Sequence, residues 1–224
     1  KNFKDLPLVS TGCDSYSSVY PEFKSFVSRS STDDIVDSII DLLPGNRWKD
    51  VHLVITGGEP LLGWQRSYPE LLSHDKMKSL KELTFETNGT QELNEEFKEY
   101  LREWRGDPEF SEREITFSVS AKLSTSGESA EDAIKPEIVK QYQEVGNTYL
   151  KFVVASEQDL KDATEAVFQY RVHGFTGHVY LMPVGGVESV YQLNNRAVAE
   201  YAMQKGWRYS DRLQVPLFKN EWGT

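Results

Sequence analysis

Two rhythms of apolar residues alternate along the chain. Short apolar runs bounded by turn residues predict strands at residues 6–9, 51–56, 83–86, 115–120, 149–154, 178–182 and 213–218. Between most of them the apolar positions recur at helical spacing. Thr32 is placed to N-cap the first helix, Asp33 and Asp34 suit its positive end, and Ile35, Val36, Ile39, Ile40 and Leu43 form one stripe that stops at Pro44-Gly45. A capping-box pattern at Ser156 and Asp159 opens a helix through Leu160, Ala163, Val167 and Tyr170 that ends near Gly174. Further helices are predicted at 93–104, 135–145 and 187–205, while 124–132 reads as a polar loop.

Strand–helix alternation of this kind specifies an α/β fold with a mainly parallel sheet and right-handed crossovers, either a barrel or a doubly wound sheet. The 224 residues suffice for one sizeable core, and with no convincing linker or repeat the expectation is a single domain over 1–224. Composition narrows the partners. Lys+Arg 25 against Asp+Glu 35 gives a net charge of −10, which argues against nucleic acid as a direct partner and favours a small-molecule ligand. No apolar run reaches the ~20 residues of a membrane span, and the opening Lys-Asn-Phe-Lys-Asp is not followed by a signal-like core, so neither a membrane partner nor export is expected. Cys13, the one cysteine, forms no intrachain disulfide, in keeping with a cytoplasmic protein.

The chemistry gathers where the apolar runs end. In parallel α/β folds the ligand site is built at the carboxyl edge of the sheet. The four candidate ends read Thr56-Gly-Gly-Glu-Pro60, Glu86-Thr-Asn-Gly-Thr90, Ser118-Val-Ser-Ala-Lys122 and Met182-Pro-Val-Gly-Gly186. Gly57 and Gly58 allow close backbone approach to a ligand, Glu59 offers an acceptor for an amine, and Pro60 stiffens the exit. A Gly-Gly pair is also what a plain strand-to-helix turn requires, and Asn88-Gly89 alone reads equally as a turn. Glu86 ends an apolar strand, where a carboxylate needs a partner or a ligand, and it has the acceptors for a guanidine-like pterin edge. Ser120 and Lys122 share a face of an extended segment and could hold a carboxylate or hydroxyl, although a surface lysine is the plain alternative.

Taken with Cys13-Asp-Ser15 and the strand Leu150-Lys-Phe-Val-Val154, these motifs resemble the 7-carboxy-7-deazaguanine synthase family of radical S-adenosylmethionine enzymes, with Gly57-Gly-Glu-Pro60 as the radical S-adenosylmethionine signature. The resemblance implies an incomplete (β/α)6-type TIM-like barrel, usually homodimeric. It also implies conversion of 6-carboxy-5,6,7,8-tetrahydropterin to 7-carboxy-7-deazaguanine with release of ammonia, on the route to queuosine and related nucleosides. The cofactors it implies are S-adenosylmethionine, a 4Fe-4S cluster and Mg²⁺, with an external electron donor such as flavodoxin. By position, Asp14, Gly57, Gly58, Glu59, Ser120, Ala121, Lys122, Met182, Pro183, Val184 and Gly185 would lie about S-adenosylmethionine, and Thr56, Glu86 and Asn88 would face the pterin substrate. Cys13 would be a cluster thiolate and Ser15 a Mg²⁺ ligand, an oxygen donor suited to a hard cation. On this reading Glu86→Gln weakens the pterin alone and Glu59→Gln the cofactor alone. No protein side chain is assigned a catalytic role beyond the cofactors.

The chain departs from the family at its cysteines. A C-x3-C-x2-C loop supplies three thiolates, and this sequence has one, Cys13, which aligns either with the last Cys-Asp-Ser/Thr of that loop or with its first Gly-Cys-Asp. The arginine expected shortly before the loop is unmatched, with Val9 or Ser10 near its place. Two explanations stand open: the sequence is part of a longer protein with its N-terminal strand and cluster loop incomplete, or it is a cluster-less pterin or nucleoside binding protein. A radical S-adenosylmethionine activase of another substrate class is a third reading, since Glu86-Thr-Asn-Gly is partly shared with such relatives; the 213–224 segment favours the synthase.

Overall fold

The computed structural model describes residues 29–110, 112–184, 195–213 and 217. Six strands, β1 (Leu53–Ile55), β2 (Glu82–Thr87), β3 (Glu114–Val119), β4 (Asn147–Val154), β5 (Val179–Pro183) and β6 (Arg208–Tyr209), form one sheet in chain order. Every neighbouring pair is parallel. A doubly wound sheet reverses its strand order at a switch point; this one never does, so it has the ordering of a barrel. It is not closed among the described residues, where β1 and β6 are both edges. The architecture is that of an incomplete TIM-like barrel.

Seven helices are described: α1 (Thr32–Leu42), α2 (Tyr68–Leu72), α3 (Glu95–Gly106), α4 (Ala130–Ala133), α5 (Pro136–Val145), α6 (Glu157–Val172) and α7 (Asn195–Lys205). Ser31, one residue before the predicted Thr32, caps α1: its Oγ accepts from the Asp34 N–H at 3.1 Å and the Asp34 carboxylate accepts from the Ser31 N–H at 3.3 Å. The box expected at Ser156 and Asp159 closes as the sequence predicts. The short helices α2 and α4 were not foreseen, and α4 lies partly in the stretch read as a polar loop.

One strand expectation changes. Leu213 and Leu217, in the run read as a final strand, are joined by the Leu217 N–H and the Leu213 carbonyl at 3.1 Å, an i→i+4 bond that belongs to a helical turn. A short apolar run does not by itself separate strand from helix. The last described strand is instead β6, whose two residues are too few to carry a period. The first predicted strand, 6–9, and the first part of the 187–205 helix lie outside the described residues.

Strand periodicity divides the sheet into two unlike faces. On one, Leu83, Phe85, Ile115, Phe117, Leu150, Phe152, Val179 and Leu181 are all buried and pack with Phe97, Leu101, Val139, Tyr142, Ala163 and Val198 of the helices. Aromatic rings cross this layer from strand to helix: Phe85 stacks on Phe117 at 5.6 Å and Phe117 on Tyr142 at 4.7 Å. The alternate positions, Thr84, Glu86, Thr116, Ser118, Tyr149, Lys151, Tyr180 and Met182, are mostly polar and only half-buried apart from Ser118. Such a face is what remains where the inside of an open barrel must receive something polar.

Candidate functional site

The exits of β1 and β2 meet through one carboxylate. Glu59 Oε1 accepts from the Leu61 N–H at 3.1 Å and from the Thr87 hydroxyl at 2.7 Å, and Oε2 accepts from the Asn88 N–H at 2.7 Å. The Thr87 hydroxyl in turn accepts from the Gly89 N–H at 3.1 Å. Tyr68 donates to the Pro60 carbonyl at 2.6 Å, and its phenol is pushed up to about 12 by burial and, second, by the charge of Glu59. The buried Gln65 amide ties the same two loops, donating to the Leu61 and Glu92 carbonyls and accepting from the Asn94 N–H. Glu59 therefore spends most of its acceptor capacity on the chain, three hydrogen bonds over its two oxygens.

That leaves the backbone of the turn itself to face outward. Gly57 stands at φ 131°, a conformation that a side chain rarely adopts, and nothing lies within 4 Å of where its Cβ would be. Thr56, Gly57 and Gly58 are exposed and, with Ile35, Leu62 and Trp64, help to line a cavity of about 660 Å³. At the next strand end Gly89 has a different reason: at φ 81° its Cβ would fall 2.6 Å from Val119 Cγ1, so glycine lets β2 and β3 approach. A hollow of about 750 Å³ lies at the opposite edge, around Trp104, Phe110 and Arg113 before β3, and is remote from these strand ends.

Glu86 has the partner that a carboxylate on a strand needs. Lys151 of β4 donates to Glu86 Oε1 at 2.6 Å, with side-chain exposures of 16% for Lys151 and 39% for Glu86. The pair reaches over β3, whose Ser118 stands in register with Glu86 on one side and Tyr149 on the other. The Ser118 hydroxyl is buried and has no hydrogen-bond partner among the described residues. Sequence reasoning had not given Lys151, Ser118 or Tyr149 a role. A signal was present, since Lys151 is the one charged residue in the otherwise apolar run Leu150-Lys-Phe-Val-Val154 and, where it is buried, needs a partner.

The other predicted positions are arranged as follows. The Asn88 side-chain oxygen accepts from the Thr90 N–H and hydroxyl, closing the turn that its sequence also suggested. Ser120, Ala121 and Lys122 follow β3, with Ala121 buried between two half-buried neighbours, and the Ser120 N–H donates to the Thr87 carbonyl at 2.7 Å. Met182 and Pro183 end β5, and Val184 donates to the Val154 carbonyl at 3.0 Å. The structure thus brings Thr56, Gly57, Gly58, Glu59, Glu86, Asn88, Ser120 and Lys122 to the same edge of the sheet. Cys13, Asp14, Ser15 and Gly185 lie outside the described residues.

No protein-family model matches the chain. It is similar to curated proteins named 7-carboxy-7-deazaguanine synthase from three organisms. Identity is 27% over 77% of this chain for Pyrobaculum aerophilum, 31% over 77% for Rhodopirellula baltica and 27% over 93% for Halobacterium salinarum. The chain spans 67%, 63% and 77% of those three proteins. Among solved structures, Streptococcus suis SuiB bound to S-adenosylmethionine superposes with a TM-score of 0.52 at 16% identity, covering 88% of this chain and 48% of that one. The likeness is one of fold.

Proposed function

We propose, from the chain's similarity to three curated proteins named 7-carboxy-7-deazaguanine synthase, that it forms the ligand-binding barrel of a radical S-adenosylmethionine synthase. The reaction is conversion of 6-carboxy-5,6,7,8-tetrahydropterin to 7-carboxy-7-deazaguanine with loss of ammonia, feeding queuosine-type nucleosides. The observation that carries this reading is the assembly of the Gly57-Gly58 turn and the Glu86–Lys151 pair at one sheet edge. The reading includes a cytoplasmic homodimer and an external electron donor such as flavodoxin.

The residues present fit S-adenosylmethionine. The carbonyls of the exposed Gly57-Gly58 turn offer its ammonium acceptors, beside Glu59, whose Oε2 takes only one donor from the chain among the described residues. Ser120, Ala121, Lys122 and the 182–185 segment would stand on its other sides. Thr56, Glu86 and Asn88 would face the pterin. Glu86 accepts N–H donors of the ring, and the polar barrel face keeps the substrate in one orientation. Asp14 would stand beside the cofactor and Ser15 would offer Mg²⁺ a hydroxyl oxygen.

The 4Fe-4S cluster does not fit the donors of this sequence. Three thiolates hold such a cluster with one iron open, and the given sequence supplies one, Cys13. The single cysteine favours a second reading, a cluster-less protein that binds the same ligands. Anaerobic iron–sulfide reconstitution followed by assay of the carboxytetrahydropterin separates the two. Formation of 7-carboxy-7-deazaguanine supports the synthase; retained binding of S-adenosylmethionine and 6-carboxypterin without product supports the binding protein. Absence of both binding and turnover overturns each.

A further inference from the structure

Nothing in the motifs explains why a lysine of β4 should reach across β3 to a glutamate of β2. A half-buried ion pair is weak evidence for stability, since the cost of desolvation offsets much of the attraction and an apolar pair would hold the strands as well. The geometry also leaves the pair unfinished. Among the described residues Lys151 makes one hydrogen bond, to Glu86 Oε1, while an ammonium carries three donors. Glu86 Oε2 receives no donor among the same residues, and both side chains lie on the polar face. The pair therefore presents, side by side, free carboxylate lone pairs and free ammonium protons.

We infer that the Glu86–Lys151 pair, rather than Glu86 alone, is the recognition element for a 2-amino-4-oxo pyrimidine edge, with Lys151 determining the preference for the 4-oxo group. This rests on the pterin reading above. The edge carries an exocyclic amine, a ring N–H and a carbonyl in sequence, two donors followed by an acceptor. The pair offers the complement: carboxylate oxygens for the two donors and an ammonium proton for the carbonyl. Its net charge is zero, which suits a neutral lactam. An unpaired carboxylate would instead attract the cationic edge of a 2,4-diaminopteridine, whose 4-amino group gives the Lys151 ammonium a donor where it needs an acceptor.

The test is a fluorescence titration of the whole chain with 6-carboxypterin and with 2,4-diaminopteridine-6-carboxylate. The wild-type protein is expected to prefer the 4-oxo compound by roughly tenfold or more, about one charge-assisted hydrogen bond. Lys151→Met should remove or invert that preference, and Lys151→Arg, which keeps a charged donor, should retain it. Should the methionine variant not fold, Lys151→Gln is read in its place and should weaken the preference. Equal affinity of the wild-type protein for the two compounds overturns the inference, as does a preference that survives in Lys151→Met or Lys151→Gln. A wild-type protein that binds neither pteridine overturns the pterin reading itself, and the inference with it.

Discussion

Glu59 and Glu86 stand at the ends of adjacent strands, yet the structure uses them in opposite ways. Three donors of the chain occupy both oxygens of Glu59, which ties the β1 exit to the β2 exit. One donor occupies one oxygen of Glu86, and the other oxygen faces the inside of the barrel unclaimed among the described residues. A carboxylate in a signature motif is thus not by itself a ligand contact; its partners decide. Beside the expectation that Glu59 reads the cofactor and Glu86 the pterin, we propose a contrast between a residue that first ties the strand ends and one left open for a ligand.

The largest effect that would break this contrast is on stability. Glu59→Ala strands the Leu61 N–H, the Thr87 hydroxyl and the Asn88 N–H at a partly buried junction, and should destabilise the fold by about 3 kcal/mol, read from urea unfolding. A change below about 1 kcal/mol would mean that the tie is dispensable. Glu86→Gln should shift stability by no more than about 1 kcal/mol, because the position is half-exposed, while weakening 6-carboxypterin roughly tenfold or more in a binding titration. Loss of both in equal measure would place Glu86 with Glu59.

The smallest effect is on a neighbour. Tyr68 is raised first by burial and second by Glu59. Its folded-state value of about 12 lies above the unfolded value of about 10, so its contribution to stability is complete below about pH 10 and is lost as pH rises through about 12. In Glu59→Gln the charge is gone and the Tyr68 titration, followed by tyrosinate absorbance, should move down without reaching the value of a free phenol. An unmoved titration would show that Glu59 is remote or uncharged in solution.

How far the chain could be read from sequence follows from the range of each interaction. Period-two alternation is local, so β2 to β5 were legible to within two residues, and the Ser156–Asp159 box needs only a three-residue span. The Gly57-Gly58 turn and Glu86 were legible as unusual strand ends. Lys151 was not assigned because its partner lies 65 residues away, and the pairing appears only once β2, β3 and β4 are known to be neighbours. The tie made by Glu59 was hidden for the same reason: two of its three donors, Thr87 and Asn88, belong to the next strand's exit. The 213–218 run shows the converse, an apolar stretch whose described ends make a helical bond.

The most direct test is calorimetric titration of Glu59→Gln with S-adenosylmethionine and with 6-carboxypterin, alongside its melting temperature. The glutamine amide turns one acceptor into a donor against three N–H and O–H groups, so affinity for both ligands should fall together and the melting temperature should fall with them. Loss of S-adenosylmethionine binding alone, with pterin affinity and melting temperature unchanged, would contradict the account and return Glu59 to direct contact with the cofactor.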